Sequence, residues 1–115
     1  MTILVVEDEP KVLELLLMYF KAKGHQTAGS DSGEGGIQLL QQHQPDVILL
    51  DVRLKGKLGG VDVLKAAHQQ HPQARVIIIT GFENAPESEF LQLGAYAVVK
   101  KPVRLEELES LIAQP

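Results

Sequence analysis

Four apolar runs in this sequence each stop at a side chain that can take part in chemistry. The first run stops at Glu7 and Asp8, and the run Val-Ile-Leu-Leu stops at Asp51. A third run stops at Thr80, and the last stops at the lysine pair 100–101. Metal ions and phosphate groups are bound by side chains of these types, which are carboxylates, a hydroxyl and ammonium groups.

Three carboxylates held close together repel one another, and each raises the pKa of its neighbours. A divalent cation removes this conflict, and Mg²⁺ fits because it prefers oxygen ligands and needs only one or two carboxylates beside a phosphate. With a lysine and a hydroxyl, the set matches phosphoryl transfer, in which an aspartate accepts the group as an acyl phosphate. Singly, these residues have ordinary explanations, such as a turn at Asp51 or helix capping by residues 7–9. Because four separate strand ends each supply a group that phosphoryl transfer requires, the functional interpretation is favoured.

Apolar runs alternate with helix-period segments along the chain. Continuously apolar strands are typical of a parallel sheet with helices on both faces, and right-handed crossovers leave few topologies. We therefore predict an α/β fold, a doubly wound five-stranded (βα)5 sheet whose ligands lie at the carboxyl ends of the strands. Strands one and three should be neighbours, which brings Glu7, Asp8 and Asp51 together. The predicted strands are 3–6, 25–29, 46–50, 75–80 and 95–99, and the predicted helices begin near Pro10, Ser32, Val61, Phe82 and Leu105.

Composition excludes several other classes of protein. The chain has 115 residues, which fits a single domain over 1–115, and its net charge of −4 argues against direct nucleic-acid binding. The absence of cysteine excludes disulfides, thiolate metal sites and cysteine nucleophiles. The N-terminus lacks the basic flank of a signal peptide, and no apolar run approaches a membrane span, so we expect a cytoplasmic protein without membrane contact.

Five short motifs resemble those of the receiver domain of two-component response regulators, in the same order and spacing and over nearly the whole chain. The resemblance implies a CheY-like, flavodoxin-like sheet with strand order 2-1-3-4-5. It also implies a phosphoprotein of a phosphorelay, which receives its phosphoryl group from a sensor histidine kinase or a phosphotransfer protein. The motifs are VVEDEP at 5–10, ILLD at 48–51, IIITG at 77–81, GA at 94–95 and KKP at 100–102.

The resemblance assigns the phosphoryl chemistry to particular residues. Asp51 would be the phosphoacceptor, and the Thr80 hydroxyl would bond the bound phosphoryl group. Lys101, directly before Pro102, would be the catalytic lysine, with a cis peptide bond between the two. Lys100 would then be only its neighbour.

The resemblance also implies a magnesium site made of Glu7, Asp8, Asp51 and Arg53. Asp8 would bind Mg²⁺ directly, Glu7 would act through water, and Arg53 would contribute its backbone carbonyl. The domain would catalyse only its own phosphorylation and dephosphorylation, so we expect no enzyme activity on a separate substrate. Phosphorylation would shift the helix near residues 84–93, and a partner or output domain would bind the face of helix four, strand five and helix five.

Two features depart from the family pattern. Val98 stands three positions before the lysine, where the family usually has an aromatic switch residue, and Tyr96, two residues earlier, should face the same side of the strand. Lys55 replaces the usual proline four residues after Asp51, in the loop KGKLGG at 55–60. One extra residue and the glycines and lysines of this loop predict a mobile, basic rim beside the site.

Three alternatives remain at the level of sequence. The first is a degenerate receiver that serves only as a protein interaction module. An aspartyl-phosphate hydrolase would need an acid two residues after Asp51, where Arg53 stands. A flavin or nucleotide binder would need a loop rich in Gly, Ser or Thr after strand one, where this chain has three acids. His68 and His71 lack a third ligand and suit a solvated helix face better than a metal site.

Overall fold

Five strands and five helices alternate along the chain, as the sequence pattern predicts. The computed structural model describes residues 1–54, 56–81 and 86–114. The strands are β1 Thr2–Val6, β2 Gln26–Ser30, β3 Val47–Asp51, β4 Arg75–Thr80 and β5 Ala97–Lys100. The helices are α1 Pro10–Ala22, α2 Gly33–Gln42, α3 Gly60–Gln70, α4 Glu87–Gln92 and α5 Leu105–Ala113.

The strands form one parallel sheet in the order β2-β1-β3-β4-β5, which confirms the predicted doubly wound topology. Val6 at the end of β1 lies opposite Leu50 of β3, and Thr80 of β4 lies opposite Lys100 of β5. The carboxyl ends of four strands therefore meet at one edge of the sheet, as expected for a ligand site in this class of fold.

The hydrophobic core has two layers, one on each face of the sheet, because successive side chains of a strand point to opposite faces. One layer packs the sheet against α2 and α3, and the other packs it against α1 and α5. All five residues of β3 are buried, which makes it a central strand. The first layer includes Leu4, Val6, Ile48, Leu50, Leu40, Val63 and Leu64, and the second includes Ile3, Val5, Val47, Leu49, Leu16, Phe20 and Leu108.

Several helix ends follow ordinary capping rules. Pro10 is the first residue of α1, where its missing N–H would have no helical partner. The Ser32 hydroxyl caps α2 by accepting the Gly35 N–H at 3.0 Å. Gly24 follows α1 with a φ of +94°, a left-handed conformation that favours glycine. Among the described residues, no helix is long and apolar enough to cross a membrane.

Several predicted boundaries differ from those of the structure, most of them by one or two residues. β3 extends through Asp51 because this residue still pairs with Ile79 in the sheet, and the prediction that the strand ends at Leu50 is wrong. β5 begins at Ala97, since the chain is still turning after Gly94, whose φ is +108°. α4 begins at Glu87, and its predicted start at Phe82 lies outside the described residues.

Candidate functional site

Asp51 is the last residue of the central strand, and its side chain reaches the edge of the sheet. It is only 5% exposed. One carboxylate oxygen, Oδ1, accepts the backbone N–H of Arg53 at 3.1 Å, and the other, Oδ2, accepts the Lys101 ammonium at 3.2 Å. The strand thus fixes the position of a carboxylate whose two oxygens are held by separate donors.

The Lys101 ammonium joins two acidic side chains across the sheet edge. It lies 3.1 Å from Glu7 Oε1 as well as 3.2 Å from Asp51 Oδ2. Glu7 is 3% exposed, and its second oxygen, Oε2, is buried with no hydrogen-bond partner among the described residues. One lysine therefore neutralises only part of the negative charge at this site.

Burial raises the pKa of Glu7 to about 7, and the neighbouring Asp51 carboxyl adds to the rise while Lys101 opposes it. The pKa of Lys101 shifts in the direction of stronger proton binding. Burial disfavours its charge, but the hydrogen bonds to Glu7 and Asp51 outweigh burial and raise its pKa. The lysine therefore stays charged, while Glu7 titrates close to neutral pH.

The acidic residues are arranged so that they fit a hard divalent cation. One oxygen from each of Glu7, Asp8 and Asp51 lies within 4.8 Å of the others, and this is the one such cluster of potential metal ligands among the described residues. Oε2 of Glu7, which has no donor in the part of the chain that the structure describes, is a buried acceptor that a cation or its bound water would satisfy. The donor set is all oxygen, as Mg²⁺ prefers.

A cavity of about 280 Å³ opens beside Asp51 and contains the other predicted groups. Thr80, which is fully buried, contributes to its wall. Lys101 also contributes, and its bond to Pro102 is cis, as the resemblance implied. Lys100 differs from its neighbour, because its ammonium lies 3.9 Å from Glu87 on the surface. The cavity is lined by Asp8, Asp51, Arg53, Thr80, Gly81 and Lys101.

The sequence matches the family described as the response regulator receiver domain over residues 3–113. This chain belongs to that family. The regulatory protein AtoC of Escherichia coli is 31% identical to this receiver over 111 residues, which cover 96% of the receiver and 24% of AtoC. The response regulator GacA of Pseudomonas aeruginosa is 31% identical over 115 residues, which cover 97% of the receiver and 53% of GacA. The receiver therefore spans about a quarter to a half of these relatives.

Solved structures show the same architecture. The receiver domain of NtrX from Brucella abortus matches this receiver with a TM-score of 0.86 at 27% identity, over 98% of this chain and 99% of that one. A response regulator from Burkholderia pseudomallei matches with a TM-score of 0.90 at 18% identity, over 98% of this chain and 66% of that one, which shows the shared fold. Receiver domains bind Mg²⁺ at acidic residues, and the corresponding cluster here is Glu7, Asp8 and Asp51.

The aromatic residue nearest the usual switch position of the family lies away from the site. Val98 is partly buried and packs against the core layer that contains α2 and α3. Tyr96 precedes β5, is 39% exposed and stacks on Arg75, whose guanidinium carbon lies 4.5 Å from the ring centre. Its hydroxyl donates to Gln114. Arg75 also bonds to carbonyls of α5, so Tyr96 contacts the α5 side of the sheet while Val98 packs on the other side, and the prediction that the two share a strand face is wrong.

The loop after Asp51 has a contact that the sequence did not reveal. Glu34, in the first turn of α2, accepts the backbone N–H of Leu58 at 2.8 Å. An acid at that position would be read from sequence as favourable to the helix dipole, so no local signal indicated a loop partner. The described part of the loop is thus hydrogen-bonded to α2. Lys55 lies outside the described residues, and the mobility of the basic rim stays a prediction.

Proposed function

We propose that this receiver accepts a phosphoryl group on Asp51 from a phosphohistidine of a sensor histidine kinase or phosphotransfer protein. The observation that carries the proposal is the Lys101 ammonium, which lies 3.1 Å from Glu7 Oε1 and 3.2 Å from Asp51 Oδ2 beside a third carboxylate. A carboxylate nucleophile, a fixed cation and an oxygen-rich metal site are the parts that phosphoryl transfer requires.

In the transfer, an Asp51 carboxylate oxygen forms a bond to phosphorus while the bond from phosphorus to the donor imidazole nitrogen breaks. The electron pair of that bond stays on the nitrogen. The β3 ladder and the Arg53 N–H hold the Asp51 carboxylate in one orientation, which lowers the entropic cost of attack. Lys101 is close enough to pair with the oxygens of the transferred group, and Thr80 supplies a hydroxyl from the cavity wall.

The residues that would hold Mg²⁺ are Glu7, Asp8, Asp51 and the backbone carbonyl of Arg53. Bound Mg²⁺ supplies positive charge that stabilises the transferred phosphoryl group. Asp8 is the most exposed of the three acids and suits direct coordination, while the buried Glu7 suits contact through a bound water.

The phosphoryl group acts as a switch, since it adds negative charge and acceptor oxygens next to Thr80 and Lys101. Contact with the phosphoryl group would make Thr80 prefer one conformer of the loop that follows it, which would shift the equilibrium between conformers of α4. A partner or output domain would then bind the face formed by α4, β5 and α5. The domain acts on no separate substrate, and its cytoplasmic location stays a prediction. Receiver domains work with histidine kinases and output domains, which fits this scheme.

Replacement of the phosphoacceptor tests the proposal. The variant Asp51→Asn should take up no phosphoryl group from a small-molecule phosphodonor in the presence of Mg²⁺, whereas the wild-type protein should gain one, as measured by intact-protein mass spectrometry. Asp31→Asn is a matched control, because Asp31 is exposed on the turn after β2. Labelling of Asp51→Asn at another residue, or no labelling of the wild-type protein, would contradict the assignment.

A further inference from the structure

The loop between β3 and α3 is attached to the start of α2 by a side chain and a close backbone contact. Glu34 Oε1 accepts the Leu58 N–H at 2.8 Å. Gly56 has a φ of +93°, and a Cβ atom there would lie 2.3 Å from Glu34 Oε2. Gly56 therefore gives both the left-handed conformation and the space that the carboxylate needs.

Gly33, the buried first residue of α2, makes the second contact. A Cβ atom on Gly33 would lie 2.3 Å from the carbonyl oxygen of Leu58. The helix start thus lies too close to the Leu58 backbone to accommodate a side chain at Gly33. We call Gly33, Glu34, Gly56 and Leu58 the loop clamp.

The same loop is fixed at its other end against the phosphoacceptor strand. The Gly60 N–H donates to the Val52 carbonyl at 3.1 Å, and a Cβ atom on Gly60 would lie 2.7 Å from Val52 Cα and 2.8 Å from the Asp51 carbonyl oxygen. Arg53 lies in sequence between Val52 of this attachment and Gly56 of the loop clamp. Its N–H donates to Asp51 Oδ1, and its carbonyl is a proposed ligand of Mg²⁺. The clamp therefore restricts the loop that shapes one wall of the metal site.

We infer that Glu34 is a positioning residue for the metal and phosphoryl site, which acts through Leu58 on the loop that carries Arg53. This inference rests on the proposed function, because it concerns the affinity of the same site for Mg²⁺. Ligands held in place before binding lose less conformational freedom when the metal binds, so release of the loop weakens binding. Glu34 itself is not among the described residues that line the cavity.

The test compares four variants by amide NMR titration with Mg²⁺ alone. Glu34→Ala removes the acceptor and should weaken Mg²⁺ binding by at least about threefold. The effect should be smaller than the roughly 10- to 100-fold loss of metal affinity that follows when a residue bonded directly to a metal ligand is removed. Glu34→Gln keeps an acceptor oxygen and should restore most of the affinity. Gly33→Ala should improve the helix propensity of α2 yet displace Leu58 and weaken binding. Gly59→Ala is the matched control, since a Cβ atom there meets nothing within 4 Å.

Two further measurements separate the possible outcomes. Hydrogen exchange of the Leu58 amide should accelerate in Glu34→Ala but not in Glu34→Gln, and urea unfolding should show that each variant remains folded. Wild-type affinity and unchanged Leu58 exchange in a folded Glu34→Ala protein would overturn the inference and leave the proposed function intact. Failure of the wild-type protein to bind Mg²⁺ would instead overturn the proposed function.

Discussion

Glu7 shows how one buried side chain connects the electrostatics of the site to the stability of the protein. It is almost completely buried, one oxygen accepts from Lys101 and the other has no partner among the described residues. Burial is the main reason why its pKa rises from 4.5 to about 7. A carboxyl group in this state binds a proton at neutral pH unless a cation takes its place, so protons and Mg²⁺ compete at this site.

The raised pKa of Glu7 predicts a pH dependence of stability in metal-free buffer. Between about pH 4.5 and pH 7 the folded protein keeps a proton on Glu7 that the unfolded chain has lost, so the contribution of Glu7 to the free energy of unfolding falls as the pH rises through this range. The raised pKa of Lys101 adds the same contribution to the free energy of unfolding at every pH in this range, because Lys101 is charged in both the folded and the unfolded state. Glu7→Gln should lack this fall and should be more stable than the wild type at pH 8, by roughly 1–3 kcal/mol.

Urea unfolding from pH 4 to pH 8 measures this difference, and the titrations of other groups cancel between the variants. Glu9→Gln is the matched control, since Glu9 is the exposed neighbour just before α1, and it should follow the wild type. Parallel pH curves for Glu7→Gln and wild type would show that Glu7 has an ordinary pKa.

At the scale of elements, β3 does most to position the site. It pairs with β1 on one side and β4 on the other, so Asp51 lies beside the ends of both neighbours. Its side chains fill both core layers, Ile48 and Leu50 on one face and Val47 and Leu49 on the other. The rigidity of the site thus follows from the packing of an apolar strand that ends in a carboxylate.

Truncation within this strand should destabilise the whole domain. Leu49→Ala removes a fully buried side chain from the layer shared with α1 and α5, and it should lower the free energy of unfolding by about 2–5 kcal/mol. Leu15→Ala is the control, because Leu15 on α1 is 53% exposed, and its effect should stay within about 0.5–1 kcal/mol. Urea unfolding measures both, and equal effects of the two would contradict the central role of β3.

At the scale of the whole molecule, the sequence predicted what depends on local pattern. Apolar runs and helical periods were sufficient for the doubly wound parallel sheet and for the meeting of Glu7, Asp8 and Asp51 at one edge, whereas the full strand order came from the resemblance to receiver domains. The choice between the lysines at 100 and 101 rested on a motif, since neighbouring residues of one type differ only in tertiary contacts. The hydrogen bond between the Leu58 N–H and Glu34 joins residues 24 apart in the sequence. The position of Tyr96 depends on where β5 begins. Neither feature could be predicted from the local sequence pattern.

The most direct test of Asp51 as the phosphoacceptor of a working switch is an amide NMR spectrum with Mg²⁺, before and after addition of beryllofluoride, a mimic of the aspartyl phosphate. We expect large shifts at Asp51 and Thr80 that extend through residues 86–101, and no such shifts in Asp51→Asn. Shifts confined to the site would mean that the domain accepts the group but transmits the signal through another surface, since Val98 replaces the usual aromatic residue. No shifts in a wild-type protein that binds Mg²⁺ would contradict the assignment of Asp51 as the phosphoacceptor and favour a receiver used only for protein contacts.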